Sequence, residues 1–379
     1  MRDRKWQRRL TIGIGFFLAF IMVASLLTPI LLTNQQIAPQ QARPTNTPIP
    51  TQPAPPDTTS IFFDRTYLHP SGLFTAAIPS GYVLNNELNN TGEAQAAFEN
   101  AMQLSVLELR ALRPAGEISL DSAENLGDFF TEDWLRTSWN RYSTWNEDAR
   151  RVENDQLVMD FSLTRSGQEF AARQVAYTDG TWIYTVRVVA PTNASEAIQY
   201  ILENEVASFS PIERFVGSDM EWNAYFDDVA NHLVRFPGDW IVVDGADGVP
   251  ASVSAPNAQL RIETTDATVD SVASAEQYVA GLQSNITVLS TSEIEQDGNA
   301  GYRVAYTQSS LDGASQSGIV QFVTTDTTTH VVNILLADVS DVDLNTVDTT
   351  AEDADPALVS ALGILDTFSI LPDLEIDNS

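Results

Sequence analysis

The sequence predicts an α+β protein made of two related domains, each a curved antiparallel sheet covered by helices, that follow an N-terminal transmembrane helix and a Pro-rich linker. Three observations predict it. Residues 11–32 carry no charge, residues 33–60 are crowded with proline, and the remaining chain repeats one ordered set of segments twice.

The stretch TIGIGFFLAFIMVASLLTPILL (11–32) is long enough to cross a bilayer, because 22 helical residues at about 1.5 Å each reach about 33 Å, and a hydrocarbon core is about 30 Å thick. A cleaved signal peptide is the rival reading, but its apolar region runs about 7 to 15 residues and this one continues to Leu32. Residues 1–10 form a basic leader with Arg2, Arg4, Lys5, Arg8 and Arg9, which sets the N-terminus on the cytoplasmic side and exports the rest. The expected location is therefore the cell membrane, single-pass, with the C-terminal domains extracytoplasmic.

Residues 33–60 contain Pro39, Pro44, Pro48, Pro50, Pro53, Pro55 and Pro56 among Thr and Gln. Proline locks φ and favours extended polyproline II, so this linker reads as a stalk reaching up to about 85 Å at about 3.1 Å per residue.

Beyond the linker, residues 61–213 and 214–379 read as two copies of one α+β domain, the second with a short acidic tail. IPSGYVL (78–84) matches FPGDWIV (236–242), each after an alternating apolar run, where Pro and Gly interrupt a strand. MQLSVLEL (102–109) matches AQLRIETT (258–265), and DSAENLGDFF (121–130) matches SVASAEQYVAGL (271–282) as a helix. QVAYTDGTWIYTVRVVA (174–190) and VQFVTTDTTTHVVNILLA (320–337) each read as two strands around a tight turn. SEAIQYILENEVASFSPI (195–212) and DPALVSALGILDTFSILP (355–372) each read as a helix leading to a closing Phe-Ser segment. The element order and the segment HPSGLFTAAIPSGY (69–82) resemble the PsbP/Mog1/DcrB-like superfamily. The resemblance implies a binding or assembly module and carries over no site residues.

Composition excludes several functions. Past residue 9, 50 acidic residues face 15 basic ones, a surface that repels phosphate backbones, so nucleic acid is not an expected partner. The absence of cysteine removes disulfides, thiolate catalysis, Cys-ligated zinc and iron–sulfur clusters. The three histidines, His69, His232 and His330, show no HExxH spacing; His69 reads as a turn residue and His330 as a sheet surface position. No G-x-S-x-G elbow occurs, and Glu132–Asp133 and Asp227–Asp228 are carboxylate pairs that so acidic a chain produces by composition alone.

Two candidate sites remain. Asp341, Asp343, Asn345, Thr349 and Glu352 place oxygen side chains at calcium-loop positions 1, 3, 5, 9 and 12, although Thr346 stands where such a loop needs Gly, and a solvated acidic loop is the plainer reading. Calcium is the one cofactor this pattern suggests. Trp134, Trp139, Tyr142 and Trp145, with Phe129 and Phe130 nearby, form a candidate ligand-stacking face, against the simpler reading of a packed core. Together these readings point to a membrane-anchored, extracytoplasmic, non-catalytic binding or assembly module. Its expected partners are the membrane, through the single helix, and an envelope protein. The alternatives are a carboxylate-dependent glycan hydrolase or a cation- or small-ligand-binding protein.

Overall fold

The computed structural model describes residues 52–116, 118–243, 251–309, 314–326, 328–371, 374 and 376. The basic leader, the 11–32 stretch and residues 33–51 of the linker lie outside them. Among the described residues no helix is long and apolar enough to cross a membrane.

The first lobe runs β1 (Phe63–Leu68), β2 (Phe74–Pro79), β3 (Val83–Asn90), β4 (Glu93–Asn100), β5 (Ser105–Leu112), α1 (Leu126–Phe129), α2 (Glu132–Ser138), β6 (Thr144–Glu153), β7 (Gln156–Arg165), β8 (Gln168–Thr178), β9 (Ile183–Pro191), α3 (Ser195–Ser208) and β10 (Ser210–Pro211). The second runs β11 (Asn223–Asp227), β12 (His232–Phe236), β13 (Ile241–Val243), β14 (Ala251–Ala255), β15 (Ala258–Thr265), α4 (Val272–Leu282), β16 (Ile286–Gln296), β17 (Asn299–Ser309), β18 (Ser315–Thr324), β19 (Thr329–Leu336), α5 (Pro356–Thr367) and β20 (Ser369–Ile370).

Sheet order shows the duplication directly. Each lobe has a seven-stranded antiparallel sheet, β3-β4-β5-β9-β8-β7-β6 in the first and β13-β14-β15-β19-β18-β17-β16 in the second, and a three-stranded one, β1-β2-β10 and β11-β12-β20. Turn chemistry agrees between copies. The β6–β7 hairpin turns through Asn154-Asp155 and the β16–β17 hairpin through Asp297-Gly298, all four with positive φ, the geometry of a two-residue type I′ turn. The β8–β9 and β18–β19 hairpins close at Thr178↔Ile183 and Thr324↔Thr329, as their sequences suggested. In the first of them Asp179 accepts the Thr181 and Trp182 amides, an Asx turn.

The expectation of sheets covered by helices needs correction, because strands outnumber helices and do much of the covering. In the first lobe one face of the large sheet packs Leu107, Leu109, Val186 and Val188 against β1, β2 and α3, whereas the other packs Leu112, Ile183 and Met159 under α1 and α2. Burial on both faces explains why β9 reads as an almost unbroken apolar run, with all nine residues buried. The second lobe repeats this, with α5 and β12 on one face and α4 on the other.

Two sequence pairings shift in detail. Residues 106–112 of β5 pair with β9 as 259–265 of β15 pair with β19, so the true partner of 258–265 lies three residues further along than 102–109. The 121–130 helix is cut short in the first lobe, because Thr131 caps a new helix by accepting the Trp134 amide. Its counterpart α4 runs unbroken from a Ser271/Ser274 capping box.

The lobes share a packed junction. Arg235, fully buried on β12, donates to the Ser71 carbonyl at 2.6 Å, to the Ser218 hydroxyl and to the Asp219 carbonyl, and burial lowers its pKa to about 9. Gly72, with φ +70°, lies so close that a Cβ there would meet the Ala224 Cβ at 2.7 Å. Leu233 of the second lobe completes the first lobe's core.

Candidate functional site

Beside this junction opens a groove of about 520 Å³ lined by both lobes. Ile78 of β2 and Phe98 of β4 line it, together with four further strands: β1 with Arg65 and Tyr67, β3 with Leu84 and Glu87, β11 with Tyr225 and Phe226, and β13 with Val242. Among the described residues each of the four is the terminal strand of its sheet, and β11 spends part of its outer edge on the junction, where the Ala224 amide donates to the Pro70 carbonyl at 2.7 Å.

Local structure on β3 shapes the groove. A bulge between Leu84 and Asn86 resets the alternation, so Leu84 and Glu87 share the face of their cross-strand neighbours Phe98 and Ala96. Glu87 thereby meets β1, where it accepts the Tyr67 hydroxyl at 2.7 Å; burial first, and that bond second, push the Tyr67 phenol well above its ordinary range. Tyr67 stacks edge-on against Phe98 with centroids 5.0 Å apart.

The other polar groups of the groove are also engaged. Arg65 donates to the Tyr82 carbonyl at 2.5 Å. His69 is fully buried; its Nε2 donates to the Gln95 carbonyl at 3.1 Å, which leaves Nδ1 to accept the Ser71 hydroxyl at 2.7 Å. Burial lowers His69 to about 4, so it stays neutral at pH 7. Aliphatic surface remains uncovered: Val83 is 66% exposed and Leu84 40% on β3, and Ile241 is 68%, Val242 39% and Val243 57% exposed on β13. Of these, Val83, Leu84 and Val242 line the groove, whereas Ile241 and Val243 alternate to the other face of β13.

The structure does bring the sequence-predicted aromatic residues together, but as a cap on buried charge. Trp139 and Tyr142 are buried, and Trp134 and Trp145 half-buried against the same cluster. Phe130 sits in the break between α1 and α2, not on one helix with Trp134, yet their rings meet at 4.9 Å. Under them Arg187 on β9 lies 4.0 Å from the Trp139 ring, donates to Glu108 on β5 at 3.0 Å and to Gln174 on β8, and is 1% exposed. Arg110 and Arg141 also bind Glu108. Burial alone would raise the Glu108 pKa, but the three guanidinium groups hold it below the usual carboxylate range; burial lowers Arg187 to about 9. Sequence reading missed this network, since charged residues on strands read as surface. Its one signal is the lone Arg in YTVRVVA (184–190).

The acidic segment 341–352 disperses. Asp341 accepts the Ser315 hydroxyl at 2.8 Å, whereas Asp343 accepts the Ser290 hydroxyl at 2.7 Å and caps a 3₁₀ turn (Leu344–Thr346). Asn345 donates to the Ser290 and Arg303 carbonyls, and Thr349 and Glu352 are exposed. Among the described residues no group of three or more His, Asp or Glu side chains is arranged to hold a metal ion. His330, expected at the sheet surface, is 3% exposed and packs on His232.

No protein-family model matches the chain, and no curated protein matches it. Among solved structures it is similar to cyanobacterial PsbP (CyanoP) from Synechocystis sp. PCC 6803, at 11% identity over 40% of this chain and 92% of that one, with a TM-score of 0.30. A crystal structure from Bacteroides thetaiotaomicron VPI-5482 matches at 7% identity over 46% of this chain and 54% of that one, TM-score 0.29. The type VI secretion immunity protein TplEi of Pseudomonas aeruginosa matches at 12% identity over 83% of this chain and 100% of that one, TM-score 0.23. The first belongs to the superfamily that HPSGLFTAAIPSGY resembles, but likeness at this level does not place the chain in a family.

Proposed function

We propose that this chain is a non-catalytic binding module, held in the cell membrane by residues 11–32 with its lobes outside the cytoplasm, and that it takes a protein partner in the groove between the lobes. One observation carries the reading: four sheet-terminal strands converge on one groove and leave aliphatic side chains of β3 and β13 uncovered there. Aliphatic surface and unpaired backbone suit a polypeptide partner. Among the described residues Glu87 is the one carboxylate lining the groove and is already engaged by Tyr67, whereas glycan hydrolysis needs two carboxyl groups flanking the scissile bond.

A photo-crosslinking residue placed at Leu84 or Val242 of the full chain in its native membrane tests the reading. A single protein adduct is expected from both positions and none from exposed Thr350 on the acidic segment. No adduct from the groove, or an equal one from Thr350, would overturn it. Placement has its own test: protease added to intact cells is expected to digest the lobes, and protection until the membrane is opened refutes the extracytoplasmic orientation.

A further inference from the structure

We infer that the partner enters this groove as an extended segment of alternating apolar and basic residues and adds as a strand to the free edge of β3. The inference rests on the groove being the binding site and specifies what it recognises.

β3 offers the longest free edge at the groove. It spans eight residues, against six for β1, five for β11 and three for β13, and among the described residues it pairs only with β4. Eight residues extend about 26 Å, enough for six to eight residues of a partner. Natural edge strands are usually guarded by Lys, Pro, a bulge or an inward charge; VLNNELNN has neither Lys nor Pro, its one charge, Glu87, is spent on Tyr67, and its bulge between Leu84 and Asn86 leaves Asn86–Asn90 as a regular edge. Every residue of β3 except Asn89 is exposed. Asn89, at the far end, donates to Glu221, Trp222 and Asn223 of the second lobe, so the strand is moored at one end and open over the rest.

Side-chain chemistry follows from the two sides of the groove. On the inner face Leu84 lies beside Phe98, and Tyr67 and Val242 line the same groove, which selects apolar side chains at every second partner position. The second lobe, residues 214–379, carries 27 acidic and 4 basic residues, a net −23, whereas residues 61–213 carry 22 and 10, a net −12. A partner strand approaching a lobe of this net charge is attracted when its intervening side chains are Lys or Arg and repelled when they are Asp or Glu.

The test uses the full-length chain in detergent micelles and a labelled ten-residue peptide of alternating Lys and Val, at about 0.15 M salt so that distant charge is screened. Expected are saturable binding, at least a tenfold loss in L84D, at least a tenfold loss with a peptide of the same composition in blocks, and at least a tenfold loss when every second peptide amide is N-methylated along its pairing edge. Equal binding of the block or N-methylated peptides leaves attraction by charge alone and overturns strand addition. If no peptide binds while Leu84 and Val242 still crosslink a partner, strand addition fails and the groove reading stands; if neither is seen, both fail.

Discussion

His232 and His330 meet in the core of the second lobe with their Nδ1 atoms 3.1 Å apart, at the positions that Phe74 and Tyr184 hold in the first. The third member of each cluster is the phenylalanine ending the last helix. Phe209 lies 4.7 Å from Phe74 and 5.9 Å from Tyr184, and Phe368 lies 5.7 Å from His232 and 5.8 Å from His330. One copy thus keeps a trio of benzene rings, with the Tyr184 hydroxyl donating to Asp179, where the other holds two buried imidazoles. One imidazole N–H bonds the other's lone pair only while the pair is not doubly protonated.

Acid should therefore weaken the second lobe. Burial, and then His330, lower His232 to about 4 against a smaller opposing pull from Asp227, and burial lowers His330. An unfolded histidine titrates near 6.5, so between about pH 6.5 and 4 the unfolded chain binds protons that the folded one refuses, and stability falls as pH falls. Buried His69 adds to the same trend. The double variant His232→Phe/His330→Tyr should show a shallower loss of stability between pH 7 and 5, gaining about 2 kcal/mol over wild type at pH 5 in urea unfolding. Parallel pH profiles would refute this.

Glu205 acts in the opposite sense. It lies on the inner face of α3 with no exposed surface, neither carboxyl oxygen has a hydrogen-bond partner, and burial raises its pKa well above the ordinary value. The folded chain keeps a proton that the unfolded chain releases above about pH 4.3, so this residue costs stability increasingly as pH rises. Glu205→Leu should stabilise at pH 7 by about 1–3 kcal/mol, with the gain shrinking toward pH 4. A variant less stable than wild type at pH 7 contradicts the account.

Removing Glu108 should be the most damaging single change in the first lobe. Glu108→Ala leaves Arg187, 1% exposed, without its countercharge, at a cost of about 3–5 kcal/mol. Because Arg187 stacks on Trp139, tryptophan fluorescence should shift before global unfolding. A loss under about 1 kcal/mol would mean that the network contributes little net stability.

Gly72→Ala tests the junction. The substitution forces an L side chain into φ +70° and against Ala224, a combined cost of about 1–3 kcal/mol, and should speed protease cutting near residues 216–221. Unchanged thermal midpoint and cutting rate would show that the lobes adjust without penalty.

Much of the fold is legible because the physics is local. A strand announces itself by alternation, Asn154-Asp155 and Asp297-Gly298 are residues that accept positive φ, and Asp355 followed by Pro356 is a helix start whose side chain accepts the Ala357 amide. The register of β5 against β15 was misjudged by three residues, since an alternating run looks alike after a short slip and only pairing with β9 and β19 selects the match. His330 was expected at the sheet surface, and the burial of other charged and polar strand residues was not legible, for a related reason. Glu108, Arg187, His232 and His330 sit on strands whose two faces are both covered, which no property of the strand itself reveals.

Sequence by itself determined the uncharged 11–32 stretch and its basic leader, the Pro-rich linker, the acidic surface, the lack of thiol chemistry, and the order of a repeated set of strands and helices. Tertiary structure alone decided that β1, β3, β11 and β13, drawn from residues 63 to 243, all end their sheets at one groove. Whether a strand is central or terminal depends on which other segments reach its backbone, a long-range choice made by packing both lobes together. Hydrogen-bonding edges left over from that choice cannot be read from the residues that carry them.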